Sequence, residues 1–208
     1  MKEFSDLYLN ILKNDLLGLN LTRIMDSNDF YNKQILDSVL PFEQVKSLKN
    51  AIAKDKLLVD IGFGGGFPIL PLAYKYPTEY NFVGLEAKNK KVKAVRHIAD
   101  KLNIGNVKLF HFRYEKILFD IPSVIVFKAV GDIIKLLNLI SFSAPISVYF
   151  YKGPNFSKLE DLSDLSKNWR KIEDVMIDSP SAITRRIIGF SPQLVPRRTL
   201  DKSLVKLS

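Results

Sequence analysis

The chain has 208 residues, a net charge of +9 and a hydrophobic fraction of 47%, enough for one large domain with a real core. It contains no cysteine and only two histidines, His97 and His111, which excludes disulfides, cysteine-ligated zinc and a cysteine nucleophile and leaves no clustered metal ligands. No apolar run approaches membrane-spanning length and no N-terminal stretch resembles a signal peptide, so the expectation is a cytoplasmic protein without membrane or metal partners.

The first fifty residues read as helical. Phe4, Leu7, Tyr8, Ile11, Leu12, Leu16 and Leu19 recur at helical spacing, and Phe30, Ile35, Leu36 and Val39 form a second face. Asp26, Ser27 and Asn28 offer caps before it. Residues 1–55 are therefore expected to be a helical extension packed on the core, 56–192 the main domain, and 193–208 a mobile tail. From residue 56 strands and helices alternate. Leu57, Leu58, Val59 and Ile61 make a buried strand, and Pro68, Leu70, Leu72 and Ala73 suit a helix. A second strand, Tyr80 to Leu85, ends at Glu86, and a helix follows from Asn89 to Leu102. Further strands are expected at 107–111, 123–127 and 146–151, with a helix at 132–141 and a polar helix from Ser157 to Asn168. Two late strands, Trp169 to Ile177 and Ile183 to Phe190, flank a turn containing Ser179-Pro180-Ser181. The pattern is α/β: a seven-stranded, mostly parallel sheet with an antiparallel terminal hairpin.

Between the first strand and its helix, Gly62, Gly64 and Gly66 alternate, so the backbone can turn sharply and a ligand can approach it closely. The spacing excludes a dinucleotide fingerprint, because the sixth position counted from Gly62 is Phe67 and from Gly64 is Ile69. No Gly-Lys-Ser/Thr makes it a phosphate loop. The N–H groups of the following helix favour an anionic group there, and Asp60 adds a carboxylate. A ligand with both a carboxylate and a cationic amine suits this site, as the methionine part of S-adenosylmethionine does. Glu86 lies about twenty residues beyond the loop, where an acid meets ribose hydroxyls in nucleoside-binding α/β folds. A purely structural strand–helix turn is the competing reading.

The positive charge is uneven. Residues 1–55 carry seven Lys/Arg against eight Asp/Glu, whereas Glu86 to Lys116 carries nine Lys/Arg against three acids. With a pI of 9.5, this belt beside the loop favours a polyanion such as RNA. Lys90, Lys93 and Lys101 share the solvent side of the helix after Glu86. Arg197 and Arg198 lie in the tail, where a solvated end competes with RNA contact.

These fragments together resemble the class I S-adenosylmethionine-dependent methyltransferases with a Rossmann-like sheet. More narrowly, the chain resembles the bacterial 16S ribosomal RNA guanine-N7 methyltransferases, the glucose-inhibited division protein B family. The resemblance rests on Asn20-Leu21-Thr22, Ile35-Leu36-Asp37-Ser38, Asp60-Ile61-Gly62 through Phe67-Pro68, Pro71-Leu72, Lys90-Lys91, Arg113-Tyr114-Glu115 and Lys152-Gly153. The chain departs from that pattern in three places. Gln34 stands where the family usually has histidine, Lys128-Ala129 where Arg-Ala is common, and Ile69 where glycine is frequent.

The resemblance implies methyl transfer from S-adenosylmethionine to N7 of a guanine in 16S rRNA or a small-subunit particle, by a monomer. It implies that Gly62, Gly64, Gly66 and Phe67 hold the methionine end, that Asp60 orders the loop or a water, and that Glu86 holds the ribose. Tyr114 and Glu115 would line the adenine pocket, with ordinary packing as the other reading of Tyr114. Lys128 would stand at the junction of cofactor and substrate as the candidate catalytic residue. Asn20, Asp37, Lys90, Lys93, Lys152 and Arg185 would face RNA, with Arg186 a further phosphate candidate and Asp37 equally a helix-internal hydrogen-bonding residue. Guanine N7 has an available lone pair, so the reaction needs alignment rather than a general base. Two alternatives stay open: a small-molecule methyltransferase of the same fold, and a catalytically inactive RNA-binding module.

Overall fold

The computed structural model describes residues 1–179, 185–193 and 203–208. Helix α1 (Lys2–Asn14) turns Phe4, Tyr8 and Leu12 inward. Helix α2 (Ser27–Phe30) is capped by Asp26, whose carboxylate accepts from the N–H groups of Asn28 and Asn-flanking Asp29, donors that a helix start leaves unpaired. It runs through a π-helical stretch, Tyr31–Leu36, into α3 (Asp37–Gln44). Such widened turns recur at functional sites, and this one carries Gln34 and delivers Asp37. Helix α4 (Lys46–Asp55) ends at Lys56 in the left-handed region, φ 61°.

The remaining elements are β1 (Leu57–Ile61), α5 (Ile69–Lys75), β2 (Asn81–Glu86), α6 (Asn89–Lys101), β3 (Val107–His111) and a 3-10 turn at Tyr114–Lys116. They continue as β4 (Ile117–Phe119), β5 (Ser123–Lys128), α7 (Ile133–Asn138), β6 (Ser141–Phe142), β7 (Ile146–Lys152) and α8 (Phe156–Leu159). The last three are β8 (Trp169–Ile177), β9 (Arg185–Pro192) and β10 (Val205–Lys206).

The main sheet has seven strands in the order β3-β2-β1-β5-β7-β9-β8. Strands β3, β2, β1, β5 and β7 are parallel, and β9 pairs antiparallel with both β7 and β8. The chain winds outward from β1 to β3 on one side and from β5 to β7 on the other. The crevice beyond the carboxyl ends of β1 and β5 is therefore the switch point at which ligands bind in such sheets.

Both faces are covered, so the central strands are almost wholly apolar. One face, with Leu58, Val126 and Tyr151, packs in the same cluster as Phe4, Tyr8 and Phe30 of the N-terminal helices and Val95 of α6. The other, with Val59, Ile125 and Val148, packs on Ile133 and Leu137 of α7. Asp60 is the one charged residue in β1, and it is fully buried.

The seven strands expected from sequence form this sheet, with three local differences. The polar helix expected at 157–168 is only α8, because Asp161 folds back to accept from Ser163 N–H and hydroxyl. Such local side-chain bonds compete with helix. A small second sheet, β10-β4-β6, was not legible, since its strands are two or three residues long. The chain end, expected to be mobile, is held there: Leu207 N–H donates to Leu118 O, and Asp120 accepts from Leu207 and Ser208. The expected turn at 180–181, the start of the last strand at Ile183, and Arg197 and Arg198 lie outside the described residues.

Candidate active site

The turn after β1 is built by glycine. Gly62, Gly64 and Gly66 sit at φ 74°, 56° and 87°, which side-chain-bearing residues adopt at a cost. A Cβ on Gly65 would lie 2.8 Å from the carbonyl oxygen of Leu21, so the 20–22 segment packs directly on the turn. Beneath it, Asp60 Oδ2 accepts from Ile69 N–H at 3.1 Å. That N–H, expected from sequence to face a ligand, is thus met internally, and Asp60 acts by ordering the turn. Burial pushes the Asp60 carboxyl well above the usual carboxylate range, and its Oδ1 has no hydrogen-bond partner.

Glu86, at the end of β2, ties the turn to the start of α6. Its Oε2 accepts from Gly64 N–H at 3.2 Å and its Oε1 from Lys88 N–H at 2.9 Å. Each carboxylate oxygen keeps further acceptor capacity.

A cleft of 440 Å³ opens where this turn meets the N-terminal helices and the ends of β5 and β9. Its polar lining comes from Lys33, Gln34, Asp37, Lys91, Lys128 and Arg185, with Phe67 as an aromatic wall. Lys128 Nζ lies 3.0 Å from Asp37 Oδ2 and 5.6 Å from the centre of the Phe67 ring. Burial pulls the lysine pKa down, opposed by the Asp37 carboxylate. Among the described residues no group of His, Cys, Asp and Glu could hold a metal, and no helix is long and apolar enough to cross a membrane.

The model of one family, GidB, rRNA small subunit methyltransferase G, matches residues 2–184. The chain belongs to this family. It is similar to the ribosomal RNA small subunit methyltransferase G of Pseudothermotoga lettingae, with 31% identity over 207 residues, covering 93% of this chain and 86% of that protein. A protein of the same name from Mycoplasma capricolum is 28% identical over 213 residues, covering 95% and 88%. Solved structures share the fold. A SAM-dependent methyltransferase from Aquifex aeolicus superposes with a TM-score of 0.52 at 16% identity, over 74% of this chain and 92% of that one. Magnesium protoporphyrin IX methyltransferase from Synechocystis, solved with bound SAM, gives 0.53 at 14% identity, over 91% and 97%.

This GidB-family chain is thus an S-adenosylmethionine-dependent methyltransferase, and its residues fit that cofactor. The turn leaves backbone free of side chains facing the cleft, and Glu86 offers acceptor oxygens beside it. Phe67 lines the cleft from the same turn.

Other expected site residues lie elsewhere or are already engaged. Tyr114 is a core residue: its ring stands edge-on to Phe127 at 5.6 Å and its hydroxyl faces Leu136 O. Glu115 is half-buried in the adjoining 3-10 turn. Lys152 is not offered to RNA, because its buried ammonium lies 2.5 Å from Glu160 Oε1 and 2.7 Å from Gly131 O. Arg186 is paired with Asp174 and Ser157. Asp37 and Arg185 bind one another instead of standing free. On α6, Lys90 and Lys93 are exposed as expected, whereas His97 and Lys101 approach Asp15 of the N-terminal region. Asn20 is exposed at φ 46° beside the cleft-lining Leu21.

Sequence reasoning missed Lys33 and Lys91 as cleft residues. Lys91 belongs to the Lys90-Lys91 pair, and its ammonium is the side chain nearest the Cβ position of Gly64. Its place one step from the buried Val92 was the available signal.

Proposed function

We propose that this protein methylates N7 of a guanine in 16S rRNA, alone or within a small-subunit particle, working as a monomer in the cytoplasm. In this reading residues 1–55 form the RNA-side extension and 56–192 the methyltransferase domain. One observation carries it: a basic cleft, in a chain of the rRNA small subunit methyltransferase G family, opens directly on the glycine turn. A small neutral substrate would not need four cationic side chains around one carboxylate.

S-adenosylmethionine supplies an electrophilic methyl group on a sulfonium. The glycine turn and Glu86 would hold the cofactor, and Lys91 receives phosphate at the cleft wall, whereas Lys33 there is paired with Asp29. Phe67 gives an apolar surface for an unstacked base, which must leave its helix or loop to be reached. The cleft lining includes no histidine or cysteine. This suits N7, whose lone pair attacks without loss of a proton. The chain's task is alignment of attacking nitrogen, methyl carbon and sulfur. Lys128 stands at the junction, its ammonium paired with Asp37, a neutralisation that a cationic cofactor bound beside it would require.

The test is mass-spectrometric mapping of methyl groups in 16S rRNA after incubation with purified protein and labelled cofactor. The expected product is one guanine carrying a methyl group on N7. Methylation of another atom, or none on naked RNA and on particles, would remove this reading.

A further inference from the structure

Side chains from three remote parts of the chain meet in the cleft. Arg185 grips Asp37 as a fork, with Nε 2.6 Å from Oδ1 and Nη2 2.9 Å from Oδ2. The same Oδ2 lies 3.0 Å from Lys128 Nζ, and Gln34 Oε1 is 3.5 Å from that ammonium. The Asp37 and Lys128 side chains are 5% and 8% exposed, so the ion pair is buried, while Arg185 at 19% and Gln34 are partly open to the cleft.

An ammonium buried this far needs a partner. Lysine also ends a flexible stem and does not fix its own position, whereas an arginine fork fixes a carboxylate in two directions. The order of dependence follows: Arg185 orients Asp37, and Asp37 orients Lys128. We propose that Asp37 is the positioning residue for Lys128, clamped by Arg185 and holding the ammonium charged at the junction of the glycine turn and the RNA side of the cleft. The proposal takes the cleft to be the site of methyl transfer, as above.

The groups facing Lys128 act in opposite directions. Desolvation and the Arg185 cation lower its proton affinity, while Asp37 and, from β1, Asp60 raise it. Gln34 and Phe67 face it without charge. On β7, Tyr151 pairs in register with Lys128, and burial pushes its phenol up, so it stays neutral. Lys33 and Lys91 complete the cleft walls. Removing Asp37's charge must therefore make Lys128 easier to deprotonate, and removing Arg185's charge must make it harder. An Asp37 that did not face the ammonium would leave the first of these shifts out.

The full-length protein is labelled with acetic anhydride across a pH series, and acetylation of the Lys128 peptide is followed by mass spectrometry. Asp37→Asn is expected to lower the Lys128 midpoint by about one unit or more, the usual effect of losing an adjacent opposite charge. Arg185→Gln is expected to raise it. In single-turnover methylation, Asp37→Asn should lose activity at a lower pH than the wild type. Lys128→Arg in the Asp37→Asn background should abolish that alkaline loss, since guanidinium stays charged. An unmoved midpoint in a folded Asp37→Asn variant overturns the proposal, as do shifts of the same sign in both variants. If Asp37→Asn does not fold, Asp37→Ser takes its place: a lowered midpoint supports the proposal, and an unmoved or raised one overturns it. The labelling needs neither RNA nor cofactor. Opposed midpoints in a protein that leaves guanine N7 unmodified would retire the substrate reading while the positioning role stood.

Discussion

The hydroxyl of Tyr8 in α1 donates to the backbone carbonyl of Gly65 in the glycine turn. Tyr8 is fully buried, with its ring 5.6 Å from Phe30 and 5.2 Å from Phe67 between centroids. A Cβ on Gly66 would come within 2.8 Å of the same hydroxyl. The N-terminal helix thus fixes the turn from behind and leaves the cleft side open. The segment that carries Asn20, Gln34 and Asp37 and the glycine turn are one mechanical unit.

Tyr8→Phe should therefore act at a distance on the cofactor. It keeps the ring but leaves the Gly65 carbonyl without its donor, at a cost of about 1–3 kcal/mol for a buried unpaired group. The expected result is a lower urea midpoint together with weaker S-adenosylhomocysteine binding by calorimetry. Lost stability with unchanged affinity would mean that the helix supports the fold and not the turn.

Glu86 links the turn to α6 through Gly64 and Lys88 N–H groups. Glu86→Ala removes both bonds and, on the proposed reading, the acceptors for ribose hydroxyls. Cofactor affinity should fall by roughly 1–3 kcal/mol, the range for hydrogen bonds to a charged group. Calorimetry without RNA measures it, because the turn and Glu86 belong to one βαβ unit. An affinity equal to wild type would leave Glu86 a structural tie only.

The contrast between these two residues shows what a sequence can reveal. The glycine turn, Asp60 and Glu86 were legible because alternating glycines, an apolar strand and a strand-end acid lie within 27 residues, from 60 to 86. Tyr8 read only as one member of a helix stripe, since its partner Gly65 is 57 residues away. Asp37 and Arg185 are 148 residues apart, so their pairing is a product of the fold and no local pattern encodes it. Lys152 looked available for RNA for a different reason: its neutralising Glu160 is only eight residues away, but it caps a helix that stops after four residues, where a longer helix was expected.

Asp60 should leave a pH signature in stability. Burial raises its folded pKa well above the ordinary carboxylate range, so the folded state holds its proton where the unfolded chain has lost it. Native stability then falls as pH rises from about 4 toward the folded pKa. Asp60→Asn keeps an oxygen for Ile69 N–H and removes the titration. Relative to wild type, its melting temperature should improve progressively between acid and neutral pH. A pH-independent difference would show that Asp60 is ionised in the native protein, with Lys128 compensating.

RNA binding should depend on salt through the exposed part of α6. Lys90 and Lys93 are free to meet phosphate, whereas Lys101 lies 3.7 Å from Asp15. Replacing Lys90 and Lys93 together should reduce the log–log salt slope by roughly one to two, at about 0.7–0.9 per phosphate contact. Lys101→Ala should leave the slope near wild type. Filter binding to 16S rRNA across a salt series distinguishes these, and equal effects from all three lysines would contradict the docked position of Lys101.

Two of the chain's departures from its family pattern touch. Lys128 Nζ lies 3.5 Å from Gln34 Oε1, and the Gln34 amide in turn donates to Thr22 Oγ1 at 3.3 Å. Lys128→Ala should slow single-turnover guanine methylation at least about tenfold, equivalent to about 1.4 kcal/mol, with an unchanged circular dichroism spectrum. Lys128→Arg should retain more activity than alanine but less than wild type, because Arg185 already holds both Asp37 oxygens and a longer guanidinium needs another acceptor. Gln34 is the residue positioned to provide one, so Gln34→His should be more damaging in the arginine background than in the lysine background, where Asp37 already pairs the ammonium. A double-mutant cycle should return a coupling of at least about 0.5 kcal/mol, as for residues sharing one hydrogen-bond network. Strictly additive effects would mean that the two departures arose independently, and near-wild-type turnover of Lys128→Ala would remove this lysine from the active site.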